Sequence, residues 1–148
     1  MKALKQIIQV LLCIIVFASC SENKEEKTYT QEKYATGSFS PFFQKFSTDS
    51  VFQKSRIEFP LYYSFTELEE NVIHKVRLDK KNWDYTNFLL DSLAKNRETN
   101  RFETQFFQKT DTVKYQRNGI DNGINMTYIF TLQEDGKWFL TEIIDSST

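Results

Sequence analysis

The run Asn125-Met-Thr-Tyr-Ile-Phe-Thr-Leu-Gln-Glu-Asp-Gly-Lys-Trp-Phe-Leu-Thr-Glu-Ile-Ile-Asp145 decides the fold. Met126, Tyr128, Phe130 and Leu132 alternate with Asn125, Thr127 and Thr131, the period of a strand that buries one face. Asp135-Gly136 supplies the turn, because glycine tolerates the positive φ that a tight hairpin demands. Trp138 to Ile144 then runs back. A two-residue turn sets Leu132 opposite Phe139, Phe130 opposite Thr141 and Tyr128 opposite Ile143, which keeps one face predominantly apolar.

Working outward, further strand signals lie at Phe102 to Phe107 and Thr112 to Gln116. Earlier still, Ile57, Phe59, Leu61, Tyr63 and Phe65 alternate with Arg56, Glu58, Ser64 and Thr66, and Pro60 marks an edge or a bulge. A turn from Glu67 to Asn71 leads into Val72, His74, Val76 and Leu78 on a returning strand. If Phe65 faces Val72, Tyr63 faces His74. Helices precede the strands. Ser40-Pro41 opens one, with serine at the cap and proline at the first helical position. Asp49 to Ser55 forms a second, with Val51 and Phe52 beside the aromatic cluster of the first. Trp83 to Ala94 is predicted as a later helix, with Trp83, Leu90 and Leu93 on one stripe. The plan is α+β: N-terminal helices packed in a strongly bent antiparallel sheet.

Two stretches carry a resemblance. Phe46 to Leu61 (FSTDSVFQKSRIEFPL) and Asp135 to Ile143 (DGKWFLTEI) resemble a family of Bacteroidetes lipoproteins of unknown function, whose fold is similar to nuclear transport factor 2 and ketosteroid isomerase. The resemblance implies a conical, highly bent sheet wrapped around helices. It brings no catalytic residues.

The N-terminus divides into three parts. Lys2 and Lys5 precede an apolar run from Ile7 to Ala18 that only Gln9 interrupts. As a helix it would be roughly 18 Å long at ~1.5 Å per residue, too short for a ~30 Å hydrocarbon core, so residues 1–19 read as a signal peptide. Phe17-Ala18-Ser19-Cys20 resembles the lipobox of bacterial lipoproteins, with Phe17 where the motif prefers an aliphatic residue. The resemblance implies that Cys20 becomes the first mature residue and carries acyl chains. Each buried CH₂ contributes ~0.8 kcal/mol, so two or three chains hold a protein on a membrane. Residues 20–38 contain no Leu, Ile, Val, Phe or Met and read as a lipidated cysteine with a flexible charged tether. Such a coil would hold the domain about 20 to 25 Å from its anchor. Lys24-Glu25-Glu26 resembles the export signal of Bacteroidetes surface lipoproteins. The expected location is therefore the outer membrane, facing periplasm or cell surface.

Residues 39–148 suffice for a single domain. With Cys13 in the signal peptide and Cys20 acylated, that domain has no thiol for catalysis or for a disulfide. Without Lys2 and Lys5 the 19 basic residues fall to 17 against 20 acidic ones, and no basic face is clustered, which argues against nucleic acid as a partner. Fourteen Phe and seven Tyr beside four Gly point to a packed aromatic core, in which Trp83 and Trp138 are expected to sit; the alternative is an exposed tryptophan that stacks on a sugar ring. Asp49-Ser50-Val51, Asp91-Ser92-Leu93 and Asp111-Thr112-Val113 resemble O-glycosylation acceptors of the same bacteria, and each reads equally as a cap or turn.

The chemistry-bearing set is small. There is no Gly-rich phosphate loop and no Gly-x-Ser-x-Gly, and a lone histidine cannot build a multi-histidine metal site. No cofactor and no metal are expected. His74, with Tyr63 and Tyr128 as neighbours, is the candidate pocket group; the plainer reading is an ordinary half-buried histidine. The leading expectation is a non-enzymatic binding or accessory module, anchored to the membrane by lipid, with a small pocket. Its partner would be an unknown small molecule, an unknown protein, or a second copy in a homodimer. The alternative is a small cavity enzyme of isomerase or hydratase type using His74 and Tyr63. A protective role as an immunity or inhibitor lipoprotein is a third reading.

Overall fold

Phe39, Phe43 and Phe46 recur at the spacing that puts side chains on one face of a helix, and in the computed structural model they are buried on helix α1 (Phe39–Thr48). The structure describes residues 27–30, 39–67 and 72–148. Helix α2 (Ser50–Ser55) follows at once, its start fixed by Asp49, whose carboxylate accepts the Phe52 N–H at 2.8 Å. Phe52 stacks toward Phe42 at 6.0 Å as expected. Val51 does not join them: it is 79% exposed, on the outer side of α2.

The strands are β1 (Lys27–Thr30), β2 (Ile57–Glu67), β3 (Val72–Leu78), β4 (Phe102–Gln108), β5 (Thr112–Gly119), β6 (Asn125–Leu132) and β7 (Trp138–Asp145). They form one sheet in the order β1-β4-β5-β6-β7-β2-β3. All neighbours are antiparallel except β2 and β7, so the sheet is mixed where uniform antiparallel pairing is expected. The helical segments between β3 and β4 send the chain across the concave face, and β2, laid down first, becomes the parallel neighbour of the last strand. β1 is a further difference: Lys27–Thr30, expected within the tether, pairs with β4. Cys20, the signal peptide and the remainder of the tether lie outside the described residues.

Register carries the inner side chains across the sheet in rungs. Val113, Phe130, Leu140 and Ile57 form the lowest. Phe106, Tyr115, Tyr128, Ile143, Tyr63 and Val76 form the next. Thr104, Arg117, Met126, Asp145, Phe65 and His74 form the third, where polar groups enter. Irregularities between Ile57 and Tyr62 and between Ile129 and Phe130 bend the sheet. The first falls at Pro60, as a proline on an interior strand requires.

Two expectations about register change. The β6–β7 loop is Glu134-Asp135-Gly136, closed by Gln133 N–H donating to Lys137 O at 2.9 Å, with Gly136 at φ 74°. A three-residue loop with glycine in the left-handed position replaces the predicted two-residue turn. It sets Leu132 opposite Trp138 and Phe130 opposite Leu140, and the irregularity beside Phe130 then restores Tyr128 opposite Ile143. On the other hairpin Tyr63 faces Val76 and Phe65 faces His74, because the pairing closes at Glu67 and Val72.

The predicted helix Trp83–Ala94 is instead an irregular stretch followed by a 3₁₀ helix, Phe88–Asn96. Three residues per turn bring Phe88, Asp91 and Ala94 inward and leave Leu90 and Leu93 exposed, so the stripe expected of a 3.6-residue period does not form. Trp138 is buried and Trp83 packs partly against the core.

Phe130 is where helix meets sheet. Its ring lies 5.4, 5.9, 5.8 and 5.2 Å from those of Phe39, Phe42, Phe43 and Phe46. Replacing it removes the surface on which α1 sits: Phe130→Ala is expected to lose about 3–5 kcal/mol in urea unfolding, whereas Val51→Ala is expected to change stability by less than about 0.5 kcal/mol.

Candidate functional site

Above the phenylalanine layer the inner face turns polar, and there the 3₁₀ helix Phe88–Asn96 meets β5 and β6. Arg117 reaches Asp91 through Nε at 2.7 Å and Nη2 at 3.1 Å, a forked pair. Its Nη1 donates to the Tyr128 hydroxyl at 2.7 Å, and Tyr115 donates to Asp91 Oδ2 at 2.6 Å. Side-chain exposure is 13% for Arg117 and 6% for Asp91. The guanidinium carbon lies 5.0, 4.9 and 5.4 Å from the ring centres of Phe88, Tyr128 and Phe102. Aromatic walls thus replace the water that both charges give up.

Proton affinities follow from that setting. Burial pushes the Tyr115 hydroxyl far up, and the Asp91 carboxylate adds to it. Burial also raises Tyr128, against the pull of Arg117. For Arg117 burial acts to lower the value, but Tyr128 and Asp91 outweigh it and hold the guanidinium charged. Both hydroxyls therefore stay protonated, and Asp91 receives three donated hydrogen bonds. These groups bond one another across the two elements, so the cluster acts as a clamp between the 3₁₀ helix and the sheet.

The three sequence-predicted pocket residues do not meet in one cavity among the described residues. Tyr128 is buried in the clamp. Tyr63 lies on the same rung but two strands away, donating to Asp145 Oδ2 at 2.7 Å; burial and that carboxylate push it up to about 12. Burial acts to raise Asp145, yet the Ser147 and Tyr63 hydrogen bonds lower it overall. His74 stacks on Phe65 at 5.1 Å and lies 2.7 Å from Glu67, with side-chain exposures of 40% and 49%. That is a carboxylate–histidine pair open to solvent. The void between α1, the 3₁₀ helix and β4–β5, lined by Phe43, Phe88, Phe106 and Tyr115, amounts to about 50 Å³.

Two polar devices escaped the sequence reading. Arg117 had a signal that could have found it: Val113, Tyr115 and Arg117 share one strand face, and its partner Asp91 sits three residues from Phe88. Gln53 gave no local signal. It is 0% exposed, and its amide makes four hydrogen bonds: Nε2 donates to Phe46 O at 2.9 Å and Thr86 O at 2.7 Å, while Oε1 accepts from Thr86 N–H at 3.0 Å and Trp83 Nε1–H at 3.2 Å. The three aspartates of the acceptor-like tripeptides have hydrogen-bond partners: Asp49 caps α2 and Asp111 accepts from the Thr112 hydroxyl at 3.1 Å, both locally, while Asp91 holds Arg117 on β5.

Two outcomes are expected. Arg117→Met strands a buried carboxylate and should lose about 3–5 kcal/mol, while the double variant Asp91→Leu/Arg117→Met should lose less than that single change when both are unfolded in urea. Tyrosines raised above 10.0 in the fold stabilise it fully below that pH and progressively less above it. Unfolding free energy should therefore fall from pH 10 toward about 12, and the fall should be shallower in Tyr63→Phe.

A family profile matches residues 37–147. No curated protein matches the chain. A nuclear transport factor 2-like protein from Bacteroides fragilis superposes with a TM-score of 0.55 at 24% identity, over 78% of this chain and 50% of its own. The chain thus spans half the length of that protein. A cystatin-like protein from Bacteroides caccae superposes with a TM-score of 0.50 at 17% identity, over 74% of this chain and 76% of its own. At these identities the likeness concerns the fold. With three-quarters of its length matched by the profile, the chain belongs to that family, a Bacteroides family of unknown function with a nuclear transport factor 2-like fold.

Proposed function

We propose that the protein is a membrane-anchored, non-enzymatic binding or accessory module that presents the outside of its cone to a ligand. The observation that carries this reading is the content of the cone beneath α1 and the 3₁₀ helix: stacked rings, a void of about 50 Å³, and a charge pair whose groups hold one another. Ligand pockets typically measure about 300–1,000 Å³. A substrate has no room in that layer. The polar groups lining it are engaged with each other, and His74, the sole histidine, stands on β3 at the sheet edge.

The anchor supports the same reading. The charge, apolar run, small residues and Cys20 of the N-terminus fit a lipoprotein held at the outer membrane, facing periplasm or cell surface, with no thiol left in the domain. A module fixed in place by lipid acts on what reaches its surface, and its partner is a small molecule or a protein. Fractionation tests the anchor: the natural chain should partition with membranes and Cys20→Ala should be released as a soluble protein. Identical partitioning of the two would refute the anchor.

A further inference from the structure

We infer that the groove between α2 and the segment Lys80–Tyr85 is a binding site for an acidic saccharide; this rests on the reading of the protein as a surface-binding module. The groove has a volume of about 440 Å³ and is lined by Ser50, Lys54, Ser55, Lys80, Trp83 and Tyr85, with exposed Val51 on its wall. That volume falls within the range of small-molecule sites.

Its aromatic walls are held rigidly. Trp83 Nε1–H donates to buried Gln53, whose amide also bonds both backbone groups of Thr86, and the Tyr85 hydroxyl donates to Ser47 O at 2.8 Å. Two rings are thereby fixed on either side of Asp84, each bonded at its polar end while the ring lines the groove. Fixed rings lose little conformational freedom on binding. The backbone from Trp83 to Asn87 is irregular where a helix is predicted, and Thr86 within it bonds to Gln53 through both its N–H and its C=O.

The charge in the groove selects the ligand. Lys54 and Lys80 have no carboxylate within ion-pair distance among the described residues, although the chain carries 20 acidic residues. Two ammonium groups that form no ion pair among the described residues attract an anion. Rings favour a flat, partly apolar partner, and the Ser50 and Ser55 hydroxyls offer both donors and acceptors. A pyranose ring bearing a carboxylate meets all three demands: its C–H face lies on an aromatic ring, its hydroxyls meet serine, and its carboxylate meets lysine.

The test is a titration of the ¹⁵N-labelled full chain with tri-galacturonic acid, its uncharged methyl ester and adenosine monophosphate, read at the indole N–H of Trp83. Buried Trp138 reports that the fold is intact. The acidic trimer should shift the Trp83 signal saturably, at least tenfold more tightly than the ester, with weakening in salt. Lys54→Gln/Lys80→Gln should reduce affinity at least tenfold while the Trp138 signal stays in place. An unmoved Trp83 signal, an equal response to the ester, or tighter binding of the nucleotide at the same indole would each overturn the assignment. None of these outcomes alters the fractionation of Cys20→Ala, so failure of the groove and failure of the anchor are separable.

Discussion

The contact between one short helix and one strand residue governs the architecture. Phe130 presents its ring to the phenylalanines of α1, mostly edge to face, the arrangement that aromatic quadrupoles favour. Ten residues of helix would be marginal alone, so α1 owes its stability to this packing. Once α1 is seated, the sheet must curve around it. The irregularities near Pro60 and Phe130 supply that curvature while keeping Tyr128, Ile143 and Tyr63 on one rung.

Polar groups then specify what apolar packing leaves free. Rings alone would let the segment between β3 and β4 settle in several ways. Gln53 pins one end of it through Thr86 and Trp83, and Asp91 pins the other through Arg117. Each device buries groups that are costly unless all their hydrogen bonds are made, so displacement of either segment carries a penalty. Of these two fixtures, one lies inside and the other borders the surface. The clamp occupies the interior with groups bound to each other, while Gln53 holds Trp83 beside an outer groove whose Lys54 and Lys80 form no ion pair among the described residues.

The α+β plan was legible in the sequence because each sheet face has a two-residue period and α1 shows four phenylalanines at helical spacing. The β6–β7 hairpin was readable in kind, yet its register near the turn was not: a three-residue loop and a later irregularity each shift pairing by one, and only their cancellation returns Tyr128 to Ile143. The 3₁₀ segment was misread because Leu89, Leu90 and Leu93 dominate the apolar pattern, while the inward positions include an aspartate whose justification lies on β5. The parallel β2–β7 pairing has no local signature, since it depends on the path between β3 and β4. The site was the least legible part. Tyr63 and Tyr128 do share a rung, but His74 belongs to the next, and Gln53 looks like an ordinary residue of a charged helix until Thr86 is placed beside it.

The central claim is that the space between α1 and the sheet is filled by side chains and closed to ligands. Titration with 2-naphthol, followed through the aromatic ¹³C–¹H signals of Phe43, Phe46, Tyr115 and Phe130, tests it most directly. The account predicts that these signals stay where they are up to millimolar naphthol. A saturable shift of all four, marking a ring-sized molecule lodged among them, would contradict it.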